Sequence, residues 1–414
     1  MRGKPGMLGL VPRDLWEHGL QDLSRSYIAA MCPRSSSETL ELKELGNCIP
    51  VRSGRAALVA ALRSLNLPPG ARVGVPLYCC SVVFDAIAAA GGSPRFLDVD
   101  PATFCISAAD LFSKASTLDA VLAVHMFGNP CDMPALQAAA GGLPIVEDCA
   151  QAIGSKLNGR MAGSLGTIAI FSFRSGKYLS VGEGGAIFSK DSAIHARASQ
   201  LVEAMPSAGA MAECSHVSKT YLKSVLRTRP FYGVVGYPLW RAWNRKQSLT
   251  TNFSIALGRI YKADLTITRR RLARLDSAIA KQRANAEYFF RTLKLENNML
   301  CLEQSGAFYN RLQYPITFAS IEQRDSVAAY LLSKNIDTVK YLDGIVNTAA
   351  RHGYMGDCPV AELLSERVLI IPSYHSLNKK EVQRIAHCLN EGWKMVTIGS
   401  QQPAATCKLD EVMK

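Results

Sequence analysis

The sequence lacks long hydrophobic segments. No run of about 18 apolar residues occurs in the 414-residue chain, so we expect no transmembrane helix. The N-terminus, which reads MRGKPGMLGLVPRDLWEHG, also lacks the apolar core of a secretory signal peptide. Together these absences favour a cytoplasmic protein.

Cysteine pairs with the spacing of a metal site are lacking as well. The chain has 12 Cys, but no C-x-x-C motif, and apart from the adjacent Cys79 and Cys80 they are scattered singly. The common zinc-site spacings are therefore absent, and a disulfide framework is unusual in a chain of this length. We expect no metal site, and reduced cysteines that serve as small core residues.

The chain has no internal repeat and no low-complexity tract. Its 48% hydrophobic and 20% charged residues are typical of a globular protein and argue against a disordered one. Since 414 residues exceed the size at which a single core keeps growing, we expect two domains.

Acidic residues are fewer than basic ones. The 47 Lys and Arg against 34 Asp and Glu give a net charge of +13, and much of the excess lies between Lys219 and Arg283. A basic surface attracts nucleotides, phosphates and acidic lipid headgroups alike. The charge by itself does not choose among them, and a contact with a membrane surface stays open. The motifs described below, not the charge, lead us to expect small-molecule substrates and no nucleic-acid partner.

Strand-like and helical segments alternate along the first half of the chain, which predicts a mostly parallel sheet covered by helices on both faces. Helices are expected over 20–31, 82–90, 133–140, 193–204 and 265–293, and strands over 72–76, 94–98, 120–125 and 144–148. The predicted organisation is an irregular lead-in (1–48), a large domain (49–258) with a basic, aromatic insertion (about 205–258), and a connecting helix with a smaller C-terminal α/β domain (259–414).

Polar residues follow several of the predicted strands. In open parallel sheets, ligands bind beyond the carboxyl ends of the strands. Each residue alone has a plain structural explanation, such as a helix cap, a buried acid or a solvated lysine. Their clustering predicts a cofactor site at this edge, built from Ser53-Gly54-Arg55, Tyr78 to Cys80, His125, Asp148, Gln151, Ser172 and Lys177.

The strongest motifs are E-D-C-A-Q-A at 147–152 and F-S-F-R-S-G-K at 171–177, which precedes G-E-G-G at 182–185. With S-G-R-A-A-L at 53–58 and V-H-M-F-G at 124–128, they resemble the DegT/DnrJ/StrS family of pyridoxal-phosphate-dependent sugar aminotransferases. The resemblance implies the three-layer α/β fold type I of aspartate aminotransferase. It also implies pyridoxal 5'-phosphate as cofactor, held between the large and small domains near the interface of a homodimer.

The resemblance also implies a role for each candidate residue. Lys177 would form the Schiff base with the cofactor and then move the proton between substrate and cofactor. Asp148 would pair with the pyridine nitrogen, and Gln151 would lie beside the hydroxyl of the ring. The phosphate would be bound by Gly54, Arg55 and Ser172.

Some positions depart from the family pattern. Arg55 stands where threonine is more frequent, and Cys80 aligns with an aromatic residue that stacks on the cofactor, so Tyr78 is an alternative for that role. The Asn-Tyr-Arg stretch of the neighbouring subunit has no clear equivalent, and Asn252-Phe253 is the nearest candidate. His125 would either lie beneath the cofactor or be a packed structural residue.

The function implied is transfer of an amino group, expected from glutamate, to a keto group of a nucleotide-linked sugar in polysaccharide or secondary-metabolite biosynthesis. One alternative is a cofactor-dependent sugar dehydratase, but such relatives usually lack the lysine that Lys177 supplies. Another is a non-catalytic scaffold or membrane-surface protein that uses residues 219–250. The intact set of Asp148, Gln151, Ser172 and Lys177 argues against that loss of catalysis.

Overall fold

Strands and helices alternate through most of the computed structural model, which describes residues 7–14, 16–33, 38–247 and 255–399. The strands are β1 (Leu40–Leu42), β2 (Gly46–Val51), β3 (Arg72–Pro76), β4 (Ser93–Leu97), β5 (Ala120–Val124), β6 (Ile145–Asp148), β7 (Lys156–Leu157), β8 (Arg160–Met161), β9 (Ile168–Ser172), β10 (Gly185–Phe188), β11 (Ala307–Phe308), β12 (Tyr314–Thr317), β13 (Val339–Lys340) and β14 (Val368–Ile371).

The α-helices lie between and after these strands. They are α1 (Leu20–Met31), α2 (Gly54–Ser64), α3 (Val82–Ala90), α4 (Ala108–Lys114), α5 (Met133–Ala140), α6 (Ser192–Glu203), α7 (Ala210–Val225), α8 (Tyr237–Gln247), α9 (Lys262–Leu272), α10 (Leu275–Thr292), α11 (Ile321–Ser333), α12 (Ile345–Ala350), α13 (Pro359–Arg367) and α14 (Lys379–Gly399).

The large sheet has the strand order β1-β2-β10-β9-β6-β5-β3-β4. The five strands β4, β3, β5, β6 and β9 are parallel, while β10, β2 and β1 extend the sheet in antiparallel pairing. Every residue of β5 is buried, as expected for a parallel strand covered on both faces. The carboxyl ends of the parallel strands therefore meet at one edge, as the sequence predicted.

Local sequence signals determine where the first helices begin and end. The Ser53 hydroxyl accepts a hydrogen bond from the Ala56 amide at 3.2 Å and so caps α2. α3 ends at Gly91, whose φ of 96° lies in the left-handed region that favours glycine. Asp132 caps α5 in the same way as Ser53 caps α2. Because these signals are local, the predicted bounds of α1, α3 and α5 agree with the structure.

The C-terminal part forms a small antiparallel sheet with the order β12-β14-β13. α11 packs against α14, and α10 also contacts α14. The single helix predicted over 265–293 was wrong, since the chain forms α9 and α10 with a break at Ala273 and Arg274. The break has a physical reason, because α9 packs against α1 whereas α10 packs against α14. The two helices therefore belong to different parts of the structure.

The beginning of the chain contributes strands to the large sheet and also contacts the C-terminal part. β1 and the first half of β2 precede residue 49, where the sequence set the start of the large domain. Val11 forms a parallel bridge with Ile336, which precedes β13 of the small sheet. The lead-in is therefore less irregular than its polar sequence indicated.

Residues 205–247 of the predicted insertion form α7, a π-helical stretch (Tyr232–Gly236) and α8. α7 packs against α1 and α9. In the described ranges, no helix combines the length and apolar character that a membrane crossing requires.

Candidate active site

Lys177 lies in a tight loop between β9 and β10. The Phe173 amide donates to the Gly184 carbonyl at 2.8 Å, and the Val181 amide donates to the Phe173 carbonyl at 2.9 Å, so the loop is closed at its base. Gly176 has a φ of +81°, a conformation that a side chain would strain. The lysine is therefore presented at the carboxyl edge of the sheet by a constrained turn.

The surroundings of Lys177 favour its neutral form. Burial lowers the pKa of its ammonium group to about 8, and the nearby Arg174 acts in the same direction. The charges of Asp148 and Cys80 raise the pKa but do not overcome burial. At neutral to mildly alkaline pH a useful fraction of Lys177 is thus an amine that can act as nucleophile or base.

Asp148 ends β6 and is buried. Its Oδ1 accepts a hydrogen bond from the Ala150 amide at 2.9 Å. Burial raises the pKa of the carboxyl group, while the bond from Ala150 and the charge of Lys177 lower it in part. The charges of Lys177 and Asp148 act on each other's pKa, so the two residues lie near one another at the same edge of the sheet.

The side chains of Glu147 and Asp148 have different surroundings, because successive residues of a strand face opposite sides of the sheet. It is fully buried and accepts hydrogen bonds from the Gly163, Leu165 and Gly166 amides and from His125 Nε2 at 3.0 Å. Burial alone would raise the pKa of Glu147, but the bond from His125 and those from the backbone amides outweigh it and lower the pKa.

Both ring nitrogens of His125 have partners within the core. Nδ1 accepts from the Cys131 amide at 2.9 Å, so the proton resides on Nε2, which donates to Glu147. His125 is fully buried. Of the two roles left open by the sequence, this geometry favours the packed structural histidine.

We expect Glu147→Gln to lower the free energy of unfolding by about 3 kcal/mol, because an amide NH₂ would then face backbone N–H donors in a buried site. The pKa of Glu147 is lowered in the folded state, so its contribution is present above the unfolded pKa and is lost as pH falls through the folded one. Urea unfolding at pH 7 and at pH 4 measures both effects. Glu183→Gln changes an acid outside this network and serves as the control. If it lowered the free energy of unfolding as much as Glu147→Gln does, a specific role of Glu147 in the core would be contradicted.

The start of α2 and the end of β9 form a narrow cradle. A Cβ added to Gly54 would lie only 2.7 Å from Cβ of Ser172, so only glycine permits this approach. Ser53 bridges to Gly184, which holds the helix start against the lysine loop. Free amides at a helix N-terminus and a serine hydroxyl are a combination that suits a phosphate group.

Arg55 lies in the first turn of α2 and is half-buried. A cation in the first turn of a helix is unfavourable next to the positive end of the helix dipole. In the described part of the chain no carboxylate lies within ion-pair distance of it. An anion bound at this helix start would therefore relieve an otherwise unfavourable placement.

Gln151 is held by a residue that the sequence did not single out. Its Nε2 donates to the hydroxyl oxygen of Tyr341 at 3.2 Å and contacts Sδ of Met126 at 3.5 Å. Its Oε1 is buried and, among the described residues, has no hydrogen-bond partner. A ligand hydroxyl beside Gln151 would satisfy this oxygen.

Tyr78 and Cys80 lie in contrasting surroundings. Tyr78 is fully buried, and its ring packs against Phe104, Phe127 and Tyr341 at centroid distances of 5.5, 6.3 and 6.1 Å. Full burial among these rings does not favour Tyr78 for stacking on a cofactor, and that role stays a prediction. Cys80 is exposed and close enough to influence the pKa of Lys177. The remaining expected contact, Asn252-Phe253, lies outside the described residues.

His125, Glu147 and Cys149 have potential ligand atoms within 4.8 Å of one another. Such a cluster suggests a metal site, but the nitrogens of His125 and the oxygens of Glu147 are already engaged in the hydrogen bonds described above. The cluster is thus explained by core hydrogen bonding.

Solved structures share this architecture. The aminotransferase TlmJ from Streptoalloteichus hindustanus matches with a TM-score of 0.71 and 22% identity, over 94% of this chain and 100% of that one. DesI, solved in the presence of its TDP-sugar product, matches with a TM-score of 0.69 and 20% identity over 96% of each chain. The predicted α/β fold, with its large mostly parallel sheet, is therefore confirmed.

Sequence comparison identifies the family. The model of the DegT/DnrJ/EryC1/StrS aminotransferase family matches residues 38–390, and the chain belongs to this family. The UDP-N-acetyl-3-dehydro-alpha-D-glucosamine 3-aminotransferase of Acidithiobacillus ferrooxidans is 27% identical over 84% of this chain and 85% of its own length. GDP-perosamine synthase of Escherichia coli O157:H7 is 27% identical over 82% and 84%. The resemblance inferred from the motifs is thus confirmed.

Sequence reasoning missed Tyr341 and the structural role of Glu147. Tyr341 follows β13, and neither a motif nor a strand-end position marked it, since its place depends on how the small sheet meets the large one. For Glu147 a signal did exist: its position directly before Asp148 in a buried strand predicts that the two carboxylates face opposite sides.

Proposed function

We propose that this protein is a pyridoxal-phosphate-dependent aminotransferase that transfers an amino group, with glutamate as donor, to a keto group of a nucleotide-linked sugar. The observation that carries the proposal is that buried Asp148 lies close enough to Lys177 for its charge to act on the pKa of the lysine, which burial lowers to about 8, at the same sheet edge as the Gly54–Ser172 cradle. Membership of an aminotransferase family supports the reaction class.

The polar groups at this edge fit the proposed cofactor at three separate points. A phosphate suits the cradle at the start of α2, where Gly54 closely approaches Ser172. A ring hydroxyl suits the unpartnered Oε1 of Gln151. A protonated ring nitrogen suits the buried carboxylate of Asp148. When bound, pyridoxal phosphate would supply an electron sink for the carbanion at the reacting carbon.

The protein residues would then bind and orient the cofactor and move protons. Lys177 would anchor it covalently through its amine and, once displaced by the amino donor, would carry a proton to and from the reacting carbon. Asp148 would hold the proton on the ring nitrogen by a charge-assisted hydrogen bond. The Gly54–Ser172 cradle would hold the phosphate of the cofactor, which keeps the reacting atoms within reach of Lys177.

The choice of substrate is supported by the named activities of the relatives. One is an aminotransferase of a UDP-linked dehydro-glucosamine, and the other is a GDP-perosamine synthase, and both align over more than four-fifths of this chain. The net charge of +13 suits a diphosphate-linked substrate. We further propose that the protein is a cytoplasmic homodimer that acts in polysaccharide biosynthesis. The presence of Lys177 favours amino transfer over dehydration.

The test is direct. The purified protein is reconstituted with pyridoxal phosphate, reduced with borohydride and digested, and mass spectrometry locates the attached cofactor. The holoenzyme is then incubated with glutamate and a panel of UDP-, GDP- and TDP-linked ketosugars. We expect the cofactor on Lys177 and one amino sugar product. A protein that binds no cofactor, or that releases a dehydrated product without amino transfer, would overturn the proposal.

Ser172→Ala is expected to weaken binding of pyridoxal phosphate by roughly ten-fold or more, because it removes one hydrogen bond to a charged group. Equilibrium dialysis or fluorescence titration of the apoprotein measures the change. Ser189→Ala is the matched control, since Ser189 follows β10 at the opposite edge and its hydroxyl donates to the Thr167 carbonyl at 2.8 Å. Equal weakening in both variants would contradict a phosphate contact at Ser172.

A further inference from the structure

The π-helical stretch and the first part of α8 carry an exposed apolar stripe. Phe231, Val234, Val235 and Leu239 are between 38% and 57% exposed, and Leu8 of the neighbouring segment Met7–Gly9 is 68% exposed. Pro238 and Ala242 are exposed as well. The spacing of three and four residues places these side chains on one face of the helical segment. We call the six residues Phe231, Val234, Val235, Pro238, Leu239 and Ala242 the apolar stripe.

The stripe lies on an anchored element. On the opposite face, Tyr232 and Tyr237 are buried with Leu10, and Trp240 packs against them. The Tyr232 hydroxyl donates to Asp337, which also pairs with Arg13 at 2.6 Å. The helical segment is thus fixed to the body of the protein by its inner face, and its apolar outer face is presented to the surroundings.

The sequence interval that contains the stripe carries charges of one sign only. No Asp or Glu occurs between Glu213 and Asp264, whereas this interval holds nine cationic residues, namely Lys219, Lys223, Arg227, Arg229, Arg241, Arg245, Lys246, Arg259 and Lys262. Arg227 pairs with Asp14 and Arg229 with Glu381. Lys223 and Arg241 are exposed, and no carboxylate of the described ranges lies within ion-pair distance of either.

We propose that the apolar stripe docks this protein onto the surface of an anionic lipid bilayer. An amphipathic helix with aromatic and aliphatic residues on one side and Lys or Arg at its borders is the sequence type that lies in the plane of a membrane interface. The stripe would enter the headgroup region, while Arg241 and Lys223 would meet the lipid phosphates. Since no described helix can cross a bilayer, the contact is peripheral.

The observations favour lipid over a second copy of the chain as the occupant. The centre of a protein–protein interface is depleted of charge, and cations at a homodimer contact would need acids opposite them. The interval from 214 to 263 contains none, and the acids Asp14 and Glu381 already neutralise Arg227 and Arg229. A two-fold contact centred on the stripe would therefore bring the exposed cations Lys223 and Arg241 toward their own copies. Anionic lipids supply the missing negative charge.

Docking through this face would set the active site beside the membrane. Arg227, four residues before Phe231 in the sequence, pairs with Asp14, and the Asp14 carboxylate is 3.4 Å from where a Cβ would stand on Gly176, next to Lys177. Thr220 of α7 likewise lies against Gly182 of the lysine loop. The insertion thus connects the proposed membrane contact to the loop that carries Lys177.

Vesicle flotation tests the proposal with the full chain. We expect wild type to float with vesicles of phosphatidylcholine and phosphatidylglycerol, to bind phosphatidylcholine alone weakly, and to dissociate as salt is raised. Val234→Asp/Leu239→Asp should weaken partitioning by roughly ten-fold or more, because it removes two apolar side chains and adds negative charge. Phe112→Asp is the matched control, since Phe112 is 74% exposed on α4 and should leave binding unchanged.

A charge variant keeps the test decisive if the double variant fails to fold. Arg241→Glu should weaken binding to the anionic vesicles by roughly ten-fold. The matched Lys190→Glu, which lies beyond β10 at the opposite edge of the sheet, should not. Failure of wild type to float, or equal flotation of both charge variants, overturns the proposal. So does a fall in oligomer size of the double variant without lipid, measured by light scattering, because it assigns the stripe to an interface between copies.

Discussion

Replacing Lys177 by alanine is expected to lower the rate of amino transfer by on the order of 10⁴-fold or more, because the change removes both the covalent anchor and the proton carrier. Borohydride reduction should no longer attach the cofactor to the protein. The fold should persist, since Lys177 lies in a turn closed by backbone hydrogen bonds of Phe173, Val181 and Gly184 that the substitution leaves in place.

The pH dependence of cofactor attachment adds a second measurement. The pKa of Lys177 is lowered to about 8, mainly by burial, so the amine form increases as pH rises through about 8. The rate of attachment to the apoprotein, followed by absorbance, should increase over the same interval and level off above it. A midpoint near the usual lysine value of 10.5 would show that the loop does not shift this group.

Two variants isolate the contribution of the amine. Lys177→Arg retains a positive charge but cannot form the covalent bond, so it should be as inactive as the alanine variant. Lys190→Ala removes an exposed lysine at the opposite edge of the sheet and should retain full activity. Residual amino transfer by Lys177→Arg near the wild-type rate would place the reactive amine elsewhere.

Asp148→Asn is expected to lower kcat by on the order of 10³-fold, because a neutral amide no longer holds a proton on the ring nitrogen of the cofactor. The asparagine Oδ1 can still accept the hydrogen bond from the Ala150 amide, so the turn after β6 should keep its shape. Attachment of the cofactor to Lys177 should therefore persist while turnover is lost.

Loss of turnover with retained cofactor attachment would distinguish the role of Asp148 from that of Lys177. The measurements are kcat with the identified ketosugar and the stoichiometry of borohydride-fixed cofactor. Asp191→Asn is the matched control, because Asp191 caps α6 away from the site and asparagine caps a helix about as well. A fall in kcat shared by both variants, or loss of attachment with Asp148→Asn, would show that Asp148 acts through the fold instead.

Strand and helix positions in the large domain could be predicted because each depends on a short stretch of sequence. The continuous apolar run of β5 indicates a buried parallel strand, and the caps at Ser53 and Asp132 mark where α2 and α5 begin. The prediction of helix bounds was less accurate where consecutive helices pack against different parts of the structure. The break between α9 and α10 depends on their different partners, which local periodicity does not report.

Within the proposed site, the sequence indicated which polar residues lie at strand ends, but it did not indicate their surroundings. Asp148, Ser172 and Lys177 follow from motifs whose spacing reflects the order of strands in the sheet. The enclosure of Tyr78 depends on Phe104, Phe127 and Tyr341, which come from three other parts of the chain. A sequence pattern carries no information on such contacts, since each is set by the docking of separate elements.

The sequence by itself thus determined the family, the alternating α/β architecture and the acid and lysine of the site, because these depend on local periodicity and on motifs of fixed spacing. The tertiary structure alone decided which carboxylate supports the core and which faces Lys177, that Tyr341 reaches Gln151, and that an apolar stripe remains uncovered. Side chains far apart in sequence meet only through packing, so their burial and charge environment exist only in the folded chain.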